Sequence, residues 1–310
     1  MHVACTGGAL IDVLVHPLNQ LPLPGKSALV EDIQIFPGGC GVNTAILLAR
    51  LGIDTHFLGR IGNDRLGRFL LNQLDQEGID VENLILDDTL QTKASLLTVR
   101  TGGEYSLIRT SAVGNALNKD DLSLLDLKDV QIMHFGGIYS LKNLLGEDLK
   151  LYCMELKNQE IVVTMDTVWT HDKNWEAIIA ALPYVDFFLP SLDEAQALTG
   201  QSTPQAIARS LRKIGVPIVV VKLGREGAYL SYGTQEGLIP ACLIPANKVV
   251  DTTGAGDAFC AGFIAALVAD KTIPEAVTWG HGAGALAVQA LGATTGIRNR
   301  KQLMMQIQTS

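Results

Sequence analysis

The stretch Asp251-Thr252-Thr253-Gly254-Ala255-Gly256-Asp257-Ala258-Phe259 carries the most information in this 310-residue chain. Turn-forming residues and two glycines run into Ala258-Phe259-Cys260-Ala261-Gly262-Phe263-Ile264-Ala265-Ala266-Leu267, which reads as a helix buried on all sides. A Gly-rich turn feeding a helix N-terminus aims several backbone N–H groups at one spot, and the helix dipole there favours negative charge. Asp257 falls in that first turn, beside the place where an anion would bind. Such a carboxylate can act as a base toward a group about to meet a phosphoryl. It can equally be a capping residue that complements the dipole. Local chemistry leaves both readings open.

Working outward, strand-like and helix-like segments alternate, which predicts an α/β chain with a mostly parallel sheet between helices. Candidate strands are Val3-Ala4-Cys5, Thr55-His56-Phe57-Leu58, Val130-Gln131-Ile132-Met133-His134-Phe135, Ile161-Val162-Val163-Thr164-Met165, Phe187-Phe188-Leu189 and Ile218-Val219-Val220-Val221. They are apolar throughout, as expected of strands covered on both faces. Helical patterns occupy residues 41–51, 64–77, 144–159 and 203–214. Two stretches, residues 27–36 and 94–110, alternate apolar and polar instead, and the second reads as a hairpin turning at Gly102-Gly103. They predict a small sheet projecting from the body, as a lid, a dimer interface, or an edge extension without further role. With no repeat or linker in view, the chain reads as a single domain, 1–310, with lid segments at about 13–37 and 90–113.

Composition narrows the function classes. Charged residues are 18% of the chain and apolar ones 47%, which fits a well-cored globular protein. A net charge of −8 argues against nucleic acid or an anionic membrane as the main partner, so an anionic ligand needs a local positive site. The five cysteines (Cys5, Cys40, Cys153, Cys242, Cys260) are scattered, odd in number and without CxxC spacing, which fits buried thiols in a reducing compartment. No basic n-region opens the chain, and residues 276–297 are too polar and Gly-rich to span a bilayer, so a cytoplasmic location is expected.

A second glycine cluster, Phe36-Pro37-Gly38-Gly39-Cys40-Gly41-Val42-Asn43-Thr44-Ala45, leads into a helix and lets a ligand approach the backbone, with Asn43 able to donate and accept. It fails as a dinucleotide fingerprint because Gly39-x-Gly41-x-x ends in Thr44. Gly25-Lys26-Ser27 fails as a P-loop because Gln20 stands where the first glycine is needed. Asp12, after the first strand and Gly7-Gly8, and Asp166, after another strand, read as carboxylates at the C-terminal sheet edge, where open α/β folds bind ligands. Either would also serve to cap a turn. Glu194 starts a helix and can support a metal or its waters, or simply complement the dipole. Lys222-Leu223-Gly224-Arg225-Glu226-Gly227 joins a Gly turn to two basic side chains, suited to a triphosphate. His134 and His281 read as packed or locally satisfied, and no spacing suggests zinc.

Together these residues resemble the ribokinase-like (PfkB) family of carbohydrate and nucleoside kinases. Residues 251–259 match its C-terminal signature. Gly38-Gly39 with Asn43 and Ala45, then Leu51-Gly52 and Gly59-Arg60-Ile61-Gly62-Asn63-Asp64-x-x-Gly67, match its N-terminal one, about 200 residues earlier. The resemblance spans nearly the whole chain and implies a three-layer α/β/α fold with a β-sheet lid. It implies Asp257 as the base, the amides of Gly254, Ala255 and Gly256 as an anion hole, and Asp12, Gly38, Gly39, Asn43 and Asp166 around the sugar. It places Lys222, Gly224, Gly227, Thr253 and His281 on the ATP side, Glu194 on Mg2+ through water, and Asp251 and Thr253, with the Gly292-Ala293 segment, at a monovalent-cation (K+) site.

The chain departs from the family in three places. Ser191 opens the Asn-x-x-Glu motif, Asp166-Thr167-Val168-Trp169 lacks the Asn and Arg of fructokinase-like members, and His134-Phe135-Gly136-Gly137 lacks the ribokinase Glu. Neither ribose nor fructose follows from the resemblance. The expected activity is ATP-dependent phosphorylation of a hydroxyl, a primary CH2OH, on a sugar or sugar-like substrate. A nucleoside kinase and a non-catalytic sugar- or nucleotide-binding protein of the same fold are the rival readings. Leu29, Ile33 and Ile35 on one side of the lid suggest a homodimer through it.

Overall fold

The computed structural model describes residues 2–101, 105–110, 115–123, 127–170 and 174–309. The main sheet is built from β1 (His2–Gly7), β4 (Asp54–Gly62), β5 (Leu84–Asp87), β8 (Val130–Gly136), β9 (Val162–Met165), β10 (Phe187–Phe188), β11 (Ile218–Lys222), β12 (Ala228–Tyr232) and β13 (Gln235–Ile239). Its order is β13-β12-β11-β10-β9-β8-β1-β4-β5, with β12 and β13 antiparallel and the remaining neighbours parallel. A separate small sheet runs β3 (Asp32–Gly38), β2 (Leu10–His16), β6 (Ala94–Val99), β7 (Tyr105–Arg109).

Helices cover both faces of the main sheet. On one side, α1 (Cys40–Arg50), α2 (Arg65–Gln76), α7 (Ala255–Val268), α8 (Ile273–Ala287) and α9 (Arg300–Gln308) share a core with Val3, Cys5, Phe57 and Val220. On the other, α4 (Glu147–Asn158), α5 (Leu192–Thr199) and α6 (Pro204–Ile214), with the short α3 (Lys119–Leu122) nearby, pack against Ala4, Leu58, Val219 and Val221. Successive strand residues therefore feed opposite cores, which explains why these runs carry no polar alternation. Among the described residues no helix is long and apolar enough to cross a membrane.

The order of strands reverses between β1 and β8, and the crevice outside strand ends at such a switch point is where α/β sheets bind ligands. Here the entry of α1 lies almost on the strand ends. A Cβ on Gly41 would sit 2.8 Å from the Gly7 Cα, and one on Gly136 would sit 2.7 Å from the Gly41 nitrogen. Three glycines thus let the α1 N-terminus touch both strands, a contact that any side chain would push apart.

One expectation needs correction. Asp12 lies on β2 of the small sheet rather than at the edge of the main one. Strand β2 is central, flanked by β3 and β6, so apolar residues point to both of its faces and its sequence shows no clean alternation. The β12–β13 hairpin extends the main sheet beyond the strands expected from the sequence. The hairpin predicted at residues 94–110 forms as β6–β7, while its Gly102-Gly103 turn lies outside the described residues.

Gly41→Ala should lower stability by about 1–3 kcal/mol through overpacking against backbone that cannot yield. Thermal unfolding should show the melting temperature falling by roughly 2–4 °C per kcal/mol for a chain of this size. An unchanged melting temperature would show that the α1 entry has slack.

Candidate active site

Two helix N-termini meet over the switch point. In α7, Gly254 is the N-cap with φ +74°, and its backbone packs so closely on Ala293 that a Cβ would lie 2.5 Å from that methyl. Asp257 follows in the first turn, 7% exposed. In α1, Asn43 is 4% exposed and its Nδ2 donates to Asp257 Oδ2 at 2.7 Å. The other amide atom, Asn43 Oδ1, is buried without a partner and remains able to accept from a ligand hydroxyl.

Burial pushes the Asp257 carboxyl up, while the Asn43 amide, the Lys222 charge and the Cys40 thiol pull it down. Sequence reasoning treated Cys40 only as one of five scattered thiols. Its position was nevertheless readable: it starts α1 three residues before Asn43, one helical turn away on the same face. The thiol also lies against Gly137, where a Cβ would come within 2.8 Å of its sulfur.

The α7 amides fit an anion. Gly254 and Gly256 N–H groups make no backbone–backbone bond to a described residue, and Ala255 N–H reaches Thr252 O only at 3.3 Å. Lys222 lies just beneath: a Cβ on Gly256 would stand 3.3 Å from its ammonium. That ammonium bonds Asp166 Oδ1 at 2.7 Å, and Asp166, 2% exposed, also accepts the Thr167 amide at 2.7 Å. Two residues read separately, as sugar and nucleotide ligands, therefore form one buried ion pair under the helix N-terminus. Burial opposes the charge on Lys222, and the Asp166 carboxylate more than offsets this, so the ammonium stays charged.

Glu194 completes a capping box at the start of α5: its Oε2 accepts the Ser191 amide at 3.2 Å and the Thr167 hydroxyl at 2.7 Å. Ser191 is the N-cap of that helix, a position that favours serine about as well as asparagine. Asp251 is a brace, taking the Thr253 amide at Oδ1 and the Gly292 amide at Oδ2, both at 2.9 Å. Arg50 holds the same segment from outside, donating to the carbonyls of Thr294 and Ile297. Among the described residues no cluster of three or more His, Cys, Asp or Glu could hold a metal by itself.

Asp12 approaches from the small sheet. Burial pushes its carboxyl up to about 6, against the Ser95 hydroxyl and the Arg109 charge. Gly38 leaves it room, since a Cβ there would fall on the Asp12 carboxylate, and Gly39 is the N-cap of α1. On the far side, Gly224–Glu226 forms a single 3-10 turn after β11 and ends at Gly227. His281, in α8, tilts against Phe259, and burial lowers its imidazole to about 4, so it stays neutral. A cavity of about 490 Å³, lined by residues that include Tyr139, Lys142, Thr170 and Asn174, contains none of these site residues.

Residues 1–300 match the model of the pfkB family of carbohydrate kinases. The chain is 32% identical over 275 residues to 2-dehydro-3-deoxygluconokinase of Bacillus subtilis, covering 86% of this chain and 84% of that one. A fructokinase double mutant from Vibrio cholerae, solved with fructose, ADP and potassium, superposes with a TM-score of 0.81 at 25% identity, over 99% of this chain and 98% of that. Aminoimidazole riboside kinase from Salmonella enterica, solved with its riboside and an ATP analogue, gives 0.81 at 26% identity over 99% and 100%. With its three-layer fold, its small second sheet and its paired glycine-led helix N-termini, this chain belongs to the pfkB family and is an ATP-dependent sugar kinase.

Proposed function

We propose that Asp257 is the general base of this kinase. The carrying observation is its burial between the α7 amides and Asn43. An acceptor hydroxyl placed there, a primary CH2OH, loses its proton to Asp257 as its oxygen attacks the terminal phosphoryl of ATP in line. The amides of Gly254, Ala255 and Gly256 meet the charge that develops on that phosphoryl, and Lys222 adds a fixed positive charge from below. Asn43 Oδ1, Asp12 and the Gly38-Gly39 backbone orient the acceptor. The paired Asp166 keeps Lys222 extended beneath the helix. The Gly224–Gly227 turn and His281 border the nucleotide, with the imidazole neutral as a packing surface.

When bound with ATP, Mg2+ neutralises phosphate charge, and Glu194 is the carboxylate placed to hold its waters. Asp251, fixing Thr253 and Gly292, frames a site for a monovalent cation such as K+. The whole chain works as one domain. The small sheet closes over the crevice as a lid and excludes water that would otherwise take the phosphoryl.

The outer face of that sheet supports a homodimer. By strand alternation Ile33, Ile35 and Ile108 share the face of Val13 and Leu96, opposite the one that packs on the body through Leu14, Leu97 and Leu291. Ile33 is 61%, Ile35 52% and Ile108 54% exposed, and Leu29 nearby is fully so. An apolar sheet face of this kind is covered most simply by its own copy about a twofold axis.

Asp257→Asn should lower kcat by roughly 10²–10⁴, or about 3–5 kcal/mol, measured as ADP release with pentoses, hexoses, keto-deoxy acids and nucleosides as acceptors. Near-wild-type turnover would remove Asp257 from the role. The acid limb of kcat/KM should also lie above the usual carboxylate range, because burial raises Asp257, which must be ionised to take the acceptor proton, and raises Asp12 to about 6, which must be ionised to accept the acceptor's hydrogen bond. Asn43→Ala removes a hydrogen bond that lowers Asp257, so the limb should move to still higher pH; a downward move would contradict the assignment. Light scattering should give twice the 33.2 kDa chain mass, reverting to one chain on Ile35→Lys; a monomer at micromolar concentration would exclude the lid dimer.

A further inference from the structure

The small sheet and the amide turn of α7 are joined by one aromatic ring. Phe36, on β3, lies directly opposite Asp12 on β2. Opposite residues of an antiparallel pair share a face, with Cβ atoms about 4.5–5.5 Å apart. Phe36 therefore stands beside Asp12 on the side that packs on the body, where it joins Leu14, Leu97 and Leu107 around Leu291. The tip of its ring lies over Gly292. A Cβ on that glycine would meet the ring carbons Cζ, Cε2 and Cε1 at 3.4, 3.5 and 3.6 Å.

The segment under the ring is clamped on both sides. Asp251 Oδ2 accepts the Gly292 amide at 2.9 Å. Arg50, itself anchored by Glu77, donates to the carbonyls of Thr294 and Ile297 at 2.6 and 3.2 Å. Between these clamps Ala293 is buried against Gly254, where a Cβ would lie 2.5 Å from the Ala293 methyl and 2.7 Å from its Cα. Gly254 caps α7 at φ +74°, and its carbonyl accepts the Ala258 amide at 2.8 Å, closing the first turn. Only Gly292 and Ala293 thus stand between the ring on the small sheet and the start of α7. Packing this close transmits a displacement instead of absorbing it.

We infer that Phe36 is a positioning residue that couples the lid's hold on the acceptor to the amide turn of α7. The inference rests on the reading of Asp12 as an acceptor ligand and of the α7 amides as the anion hole, and it deepens that reading. When Asp12 takes the acceptor hydroxyl, the neighbouring ring is seated on Leu291 and Gly292, and Ala293 is held against Gly254. The amides are then firm only while the lid lies over the acceptor, so ATP bound alone meets a looser turn. A misplacement of about 1 Å in such a turn is worth roughly 10²-fold in rate.

Two measurements test this together: kinetics with an acceptor that releases ADP, and hydrogen exchange on the unliganded full chain. Phe36→Ala should lower kcat by roughly 10–100-fold with acceptor KM changed by no more than about threefold, and Phe36→Leu should keep most of the activity. Ala293→Gly should lower kcat as well, and the double variant should fall no further than the worse single one, because both break the same chain of contacts. Phe36→Val takes the place of Phe36→Ala in this cycle should the latter fail to fold. Exchange at the Gly292 and Ala258 amides should quicken about tenfold in the Phe36 variant. It should stay at the wild-type rate in Leu107→Ala, which thins the same apolar patch from β7, the strand farthest from β3. A double-variant loss equal to the product of the single losses, a loss confined to KM, or unchanged exchange would overturn the coupling while leaving the kinase reading intact. If no acceptor releases ADP, the kinase reading fails instead, and exchange alone decides the coupling. Quickening at Ala258 in the Phe36 variant but not in Leu107→Ala upholds it, and any other result overturns it.

Discussion

A single buried hydrogen bond, from Asn43 to Asp257, ties together parts of the chain that lie 214 residues apart in sequence. It exists only because two helices begin over the same strand ends, and α1 can begin there only because Gly7, Gly41 and Gly136 let backbone meet backbone. The fold therefore delivers a carboxylate, a set of unpaired amides and a polar amide oxygen to one point. Everything chemical in the molecule is arranged around that point. The buried aliphatic cores on the two faces of the sheet hold the helices that bring it about.

Electrostatics gives the point its direction. Asp257, Asp166 and Asp12 are all acids whose carboxyls burial raises, and each is met by a designated counter-group: Asn43, Lys222 and Ser95 respectively. Lys222 matters most, because its charge lies between Asp166 and the α7 N-terminus, where it adds to the helix dipole. An acidic protein thus gathers local positive potential at one helix N-terminus without a basic surface. Removing either partner of the Lys222–Asp166 pair would strand a buried charge, a penalty of about 3–5 kcal/mol in comparable settings.

Much of this was readable in the sequence, and the failures have physical causes. The glycine clusters and the parallel strands were legible because steric constraint and two-faced burial write strong local patterns. The small sheet was legible at β3 and at β6–β7, where one face meets water, and illegible at β2, where both faces carry apolar residues. The pairing of Lys222 with Asp166 was invisible, because an ion pair across 56 residues leaves no local trace. For Cys40, helix phase showed only that it shares a face with Asn43, while the meeting of that face with Asp257 needed the folded chain. The placing of Phe36 beside Asp12 needs strand register, which only the folded chain supplies.

The account stands on the claim that the transferring phosphoryl sits at the α7 N-terminus beside Asp257. A crystal structure of the enzyme with ADP, Mg2+, acceptor and a planar fluoride mimic of the phosphoryl tests this most directly. The account predicts the mimic within about 2.7–3.1 Å of the Gly256 amide, with an acceptor oxygen in line and hydrogen-bonded to Asp257. A mimic bound away from that turn, or an acceptor hydroxyl directed at another carboxylate, would contradict it.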